Sequence, residues 1–212
     1  MALKPETLNH CHIIDEKGYL FHSEDTQSTE DEYLHLLHAL VYSLKPNHIL
    51  ETGSYRGMGT AFMAKALKRN GDLAPEVLEE YSYFGKITSV ELEPAAAQYA
   101  FKMLETNKVD AFARIVISDS IEYLKVTNDR YDFAFFDSQL PLRVRELEIC
   151  MDRGLLRPGS MWAMHDTSRL RTLSPGAPDP QTTILWQELE SLKGVTFLEF
   201  PLSRGLVVGQ VK

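Results

Sequence analysis

The sequence is poor in cysteine, in basic residues and in long apolar runs, and each shortage removes a class of protein. Only two cysteines occur, Cys11 and Cys150, too few for a disulfide framework, which predicts a protein of a reducing compartment, the cytoplasm. No apolar stretch approaches the roughly 20 residues of a membrane span, and Met1–Glu6 form no apolar signal region. A membrane is therefore not an expected partner. Lys and Arg total 22 against 30 Asp and Glu, a formal charge of −8. That balance argues against nucleic acid, which needs cations to hold it. Repeats and low-complexity segments are absent as well.

What the chain does have is 44% hydrophobic residues in 212, enough for one domain with a full core. Residues 1–27 are polar and mixed and read as an N-terminal arm or cap, leaving 28–212 as the domain, with a surface insertion at about 72–85. Ser28, Thr29, Glu30, Asp31 and Glu32 supply cap residues and early acids for a helix to about Leu44. A second helix reaches about Arg69, where Asn70-Gly71 predicts a stop. Strands are expected at Ile87–Val90, Ala113–Ile117, Tyr131–Phe136 and Met161–Met164. A loop from Arg169 to Thr182 precedes a helix at about 183–192 with Ile184, Leu185, Leu189 and Leu192 inward. Val195–Phe200 and Leu206–Val211, joined by a short link, predict an antiparallel hairpin. The pattern implies an α/β, doubly wound, Rossmann-like, mostly parallel seven-stranded sheet, with a C-terminal antiparallel β-hairpin and helices on both faces.

The densest signal is Ile49-Leu50-Glu51-Thr52-Gly53-Ser54-Tyr55-Arg56-Gly57. An apolar strand ends in a carboxylate, and glycines then open a helix, the geometry that brings backbone close to a ligand. Four strands finish on an acid (Glu51, Glu91, Asp137 and Asp166), and Asp119 follows a fifth. In an open parallel sheet those ends share one rim, where ligands bind. Glu91 is placed to accept from ribose hydroxyls, and Asp119 with Ser120 to bond an adenine amine. Glu51 suits either a ligand's cationic group or the turn itself. A dinucleotide fits poorly, because the Gly-x-Gly-x-x-Gly pattern lacks its second glycine. His10-Cys11-His12, and His35 with His38, read as surface rather than metal sites. Trp162 reads as core and Trp186 as core or pocket wall. Arg169 and Arg171 lie where a substrate lid or an anion contact is expected.

Together, the Glu-x-Gly-x-x-x-Gly turn, Glu91, the acid after the third strand and the hairpin resemble the class I S-adenosylmethionine (SAM)-dependent methyltransferases. More narrowly, Glu51–Gly57, Ile87–Pro94, Tyr131–Asp137 and Gly154–Gly159 leading to His165-Asp166 resemble the catechol-O-methyltransferase-like branch. That resemblance implies methyl transfer from SAM to a small-molecule hydroxyl, with a homodimer left open. It assigns the cofactor to Glu51, Gly53, Ser54, Tyr55, Gly57, Glu91, Leu92, Asp119, Ser120 and Asp137. It matches Asp137 and Asp166 to positions where metal-dependent members hold a divalent cation, for which Mg²⁺ is the suitable ion. Two departures stand out: Thr167 replaces an Asn, and Leu140 replaces the lysine that deprotonates substrate. His165, beside Asp166, is then expected as catalytic base, unless a metal-bound hydroxyl serves or His165 merely packs. Two further readings stay open, a macromolecular acceptor and a SAM-binding partner subunit without catalysis.

Overall fold

A computed structural model describes residues 11–14, 20–23, 28–72, 84–169, 172–174, 177–200 and 204–212. A two-stranded antiparallel pair comes first, β1 (Cys11–Ile14) and β2 (Leu20–Ser23). There follow α1 (Asp31–Leu44), β3 (His48–Thr52), α2 (Met58–Asp72), β4 (Lys86–Glu91), α3 (Pro94–Thr106) and β5 (Ala113–Ile117). Then come α4 (Ser120–Val126), β6 (Tyr131–Phe136), α5 (Arg143–Asp152), β7 (Leu156–His165), β8 (Thr172–Ser174) and β9 (Ala177–Pro178). The chain ends with α6 (Pro180–Ser191), β10 (Val195–Phe200) and β11 (Leu206–Val211).

Seven strands form one sheet in the order β10-β11-β7-β6-β3-β4-β5. β7, β6, β3, β4 and β5 run parallel, while at one edge β11 pairs antiparallel with β7 and β10 antiparallel with β11. This is the doubly wound sheet and hairpin expected from the pattern. Every residue of β3 is buried, as a strand covered on both faces must be. Two apolar layers provide the cover. Leu37 and Val41 of α1, Leu67 of α2 and Leu104 of α3 pack on one face. Leu124 of α4, Val144 and Leu147 of α5, and Leu185 and Leu189 of α6 pack on the other. Among the described residues, no helix is long and apolar enough to cross a membrane.

Three local expectations need correction. α2 continues through Asn70-Gly71 to Asp72, because Asn70 is buried and its amide donates to the Val41 carbonyl of α1 at 3.3 Å. That tertiary bond outweighs the local helix-stop preference. Ile184 is half exposed, and the inward face of α6 is Thr182, Leu185, Trp186 and Leu189. The loop before α6 contains β8 and β9, paired antiparallel. Most of the 72–85 insertion, much of the 1–27 arm, the side chains of His10-Cys11-His12, and Arg171 lie outside the described residues.

Candidate active site

Sheet order reverses at β3, with β4 and β5 on one side of it and β6 and β7 on the other. A cavity of about 650 Å³ opens over the carboxyl ends of these strands, the crevice such a switch point creates. Over β3–β5 it is lined by Gly53, Tyr55, Glu91, Leu92, Asp119 and Ser120. Toward β6 and β7 its walls include Asp137, Leu140, Arg143, Asp166, Gln181 and Arg204.

The glycine turn is pinned from both neighbouring strands. Gly53 donates to the Val90 carbonyl at 2.8 Å, and Asp137 donates to the Thr52 carbonyl at 2.9 Å. Gly53 sits at φ 81°, and a Cβ there would lie 2.7 Å from the Asp137 carbonyl carbon. Only glycine allows β3 and β6 to end this close together. Beyond it, the Tyr55 amide donates to Glu91 Oε2 at 2.6 Å, and the Glu93 amide donates to Oε1 at 2.9 Å. These bonds orient the Glu91 carboxylate toward the cavity and still leave it accepting capacity. The Ser54 hydroxyl is buried with no partner among the described residues, and it lines a small side cavity together with Glu51. Gly57 packs against Ala100 of α3 and serves the turn rather than the cavity wall.

Glu51 is sealed behind the turn. Ser89 donates to its Oε2 at 2.5 Å, and Thr60 donates to the same oxygen. Burial pushes its pKa up to about 7, against the hydrogen bonds from Ser89 and Thr60. Of the two tasks read for it, the geometry supports the turn. Asp119 caps α4, accepting from the Glu122 amide at 3.0 Å. Ser120 lines the cavity, but its hydroxyl donates inward to Glu146 at 2.5 Å. Glu146 is fully buried on α5 and also accepts from Thr52 at 2.8 Å.

The β6–β7 end is a cluster of ions. His165 is fully buried, with Nδ1 3.0 Å from Asp137 Oδ1 and Nε2 2.6 Å from Glu30 Oε2. A carboxylate faces each ring nitrogen, so only the doubly protonated ring donates to both. Burial opposes that charge, yet Asp137, Glu30 and Asp166 push its pKa up to about 10. Arg143, 3% exposed, donates to the Ser138 carbonyl at 2.8 Å, to the His165 carbonyl, to Asp137 at 3.1 Å and to Asp166 at 3.4 Å. Arg204 grips Asp166 with two bonds, 2.6 and 2.9 Å, and the Ser28 carbonyl with a third at 3.0 Å. Burial alone would raise the Asp166 pKa, but His165, Arg143 and Arg204 hold it well below the usual carboxylate range. Arg204 reaches Asp166 because the loops are stitched together: Ser168 donates to the Arg204 carbonyl at 2.8 Å. Gly205, at φ 88°, permits this, since a Cβ there would lie 2.6 Å from Ser168 Cα.

The structure thus brings Asp137 and Asp166 together, as expected, and adds His165, all three within 4.8 Å of one another. By spacing alone that group could hold a metal ion. Its chemistry does not fit a divalent one. Asp137 Oδ2 accepts from Thr29 at 2.9 Å, so all four carboxylate oxygens of the pair are hydrogen-bonded. Three cations already balance Glu30, Asp137 and Asp166.

Sequence reasoning missed Glu30, Arg143, Arg204 and Glu146. Glu30 looked like a helix-start acid, yet it stands at the α1 N-cap without a side-chain cap bond and turns to His165. The other three had no signal of their own. Arg169 is a brace, paired with Glu190 and Glu199 and lying 3.5 Å over the Trp186 ring. Trp186 is core and ties down the β7 loop, donating to the Thr167 carbonyl at 2.7 Å.

Comparison with known proteins agrees with this architecture. Among solved structures, a SAH-bound methyltransferase of Podospora anserina matches with a TM-score of 0.74 at 14% identity, covering 88% of this chain and 80% of that one. An O-methyltransferase of tomaymycin synthesis from Streptomyces achromogenes, in complex with SAM, matches at 0.68 and 18%, covering 88% and 82%. An O-methyltransferase from Bacillus cereus in complex with SAH matches at 0.70 and 17%, covering 89% and 84%. At such identities the likeness is one of fold. No curated protein matches in sequence. A family described as a methyltransferase domain matches residues 50–167, which run from β3 to the loop after β7 and include most of the crevice lining. The chain belongs to that methyltransferase-domain family.

Proposed function

We propose that this protein transfers the methyl group of SAM to a hydroxyl of a small molecule. The observation that carries the reading is the Glu91 carboxylate, fixed by two backbone amides at the mouth of a cavity that also holds Asp119. That donor set suits an adenosine: a diol on Glu91, a base beside Leu92 and an amine on Asp119. The unpartnered Ser54 hydroxyl and the turn backbone suit the amino-acid part. SAM brings an electrophilic methyl on a positively charged sulfur. The protein's share is to bind the adenosine, orient the methyl toward β6 and β7, and hold the acceptor in line. Structural neighbours described as O-methyltransferases with SAM or SAH support the cofactor and the acceptor class.

Ser120 is a wall residue in this reading, since its proton is committed to Glu146. His165 is a positioning residue. Both of its nitrogens are taken and it has no contact with the cavity, so the role of base does not suit it. It holds Asp137 and ties Glu30 to β7.

Titration calorimetry with SAM tests the reading. Glu91→Ala is expected to weaken binding by about 1–3 kcal/mol through loss of charge-accepting hydrogen bonds. Unchanged affinity in that variant would sink the ribose assignment. Transfer of label from methyl-labelled SAM over a panel of small hydroxyl compounds tests the chemistry. Label found only in protein or nucleic acid would overturn the acceptor class.

A further inference from the structure

At the β6–β7 end of the crevice, Glu30, Asp137 and Asp166 face His165, Arg143 and Arg204, three acids against three cations. Glu30 and His165 are fully buried, Arg143 and Asp166 nearly so. A divalent ion between Asp137 and Asp166 would have to take oxygens from both guanidinium groups. It would then leave those cations with carbonyl partners but no full carboxylate partner, and add two further positive charges beside them. The position matched by resemblance to a metal site is already filled with charge that belongs to the protein.

We propose that Arg143 and Arg204 serve in place of a divalent cation, so that the site works without metal and Arg204 offers the fixed positive charge to the acceptor oxygen. Arg143 is buried, with four donor contacts inside the protein. It anchors the two acids. Arg204 lines the cavity and is 21% exposed. Its guanidinium makes three hydrogen bonds to protein, which leaves two of the five N–H groups of an arginine. An acceptor hydroxyl that has given its proton to water in the open cavity would be held there as an oxyanion; its lone pair forms the O–CH₃ bond as the S–CH₃ bond of SAM breaks, and the neutral thioether SAH leaves. The role in catalysis rests on the methyl-transfer reading, whereas the exclusion of metal does not.

The test is Mn²⁺ binding to the purified protein, followed by paramagnetic resonance of the free ion, with SAM binding measured on the same samples. Wild type is expected to bind no stoichiometric Mn²⁺ up to about 1 mM, where an open two-carboxylate site would begin to fill. Arg204→Ala frees Asp166 Oδ1 and leaves Oδ2 to Arg143 alone, and it is expected to raise Mn²⁺ affinity at least about tenfold, because a neighbouring positive charge is gone. Arg204→Gln keeps most of the bulk without the charge and carries the same expectation should the alanine variant fold poorly. One-to-one Mn²⁺ binding by wild type at micromolar concentration, lost in Asp166→Asn, would overturn the proposal. So would both Arg204 variants folding and still ignoring Mn²⁺, since Arg204 would then not be what keeps metal out. Loss of SAM binding in wild type would instead overturn the cofactor reading and leave the metal result standing.

Discussion

Glu51 and Glu146, beneath the glycine turn, are buried like Glu30 and Asp166 at the hairpin end, yet hydroxyls serve the first pair and cations the second. A hydroxyl donates a hydrogen bond but brings no charge, so burial dominates and both glutamates are pushed upward in pKa, Glu51 to about 7. A guanidinium brings both, and Asp166 is driven the other way. The same residue type at the same depth therefore does different work. Beneath the glycine turn, burial favours the neutral form of Glu51 and Glu146, and both brace the backbone there. At the hairpin end Asp166 is held as a carboxylate within a lattice of paired charges.

The sharpest way to break this contrast is to remove one cation. Arg143→Met keeps the length and apolar stem but takes one cation from both acids, leaving Asp137 to His165 and Thr29 and Asp166 to Arg204. Urea unfolding is expected to show a loss of about 3–5 kcal/mol, the usual cost of opening a buried ion pair from one side. A loss under about 1 kcal/mol would mean that the cluster is solvated or rearranges, and that cations are not what distinguishes this end.

The two ends should also titrate in separate windows. For both Glu51 and His165 the folded state holds its proton more tightly than the unfolded chain. Each contribution to stability is thus full at low pH and is lost as pH rises through the folded value. For Glu51 the loss runs from 4.5 to about 7. For His165 it runs from 6.5 to about 10. Unfolding free energy measured against pH is expected to fall across both windows. Glu51→Gln should flatten the lower one and His165→Gln the upper. A His165→Gln profile identical to wild type above pH 7 would show that the ring is not held as imidazolium.

How much of this was legible follows from the range of each interaction. β6, β10 and β11 have the boundaries read from the chain, because apolar runs bounded by turn residues are local signals. The acids at the ends of β3, β4, β6 and β7 were readable for the same reason, and Glu91, Asp137 and Asp166 line one cavity. The partners of those acids were not readable. Glu30 lies 135 positions from His165, and Arg204 lies 38 from Asp166. In sequence an acid at a helix start and an arginine in a hairpin turn look like ordinary solvated residues. Whether a strand-end acid meets a metal, a hydroxyl or a guanidinium is decided by which loops fold over it, and Gly205 brings one of those loops in.

The smallest expected effect lies beneath the glycine turn. Glu146 accepts from Thr52 and Ser120, and burial already favours its neutral form. Glu146→Gln keeps the shape and one carbonyl acceptor, and a hydroxyl can turn to accept from the new amide. Its cost at pH 7 should stay under about 1 kcal/mol, the scale of a single rearranged neutral hydrogen bond. The corresponding change at the other end, Asp166→Asn, swaps a carboxylate held by two guanidiniums for a neutral amide and should cost several times more. Measured side by side by urea unfolding, equal costs would erase the distinction between hydroxyl-served and cation-served acids. A clear gap would place the charge lattice, and not burial itself, as the cause.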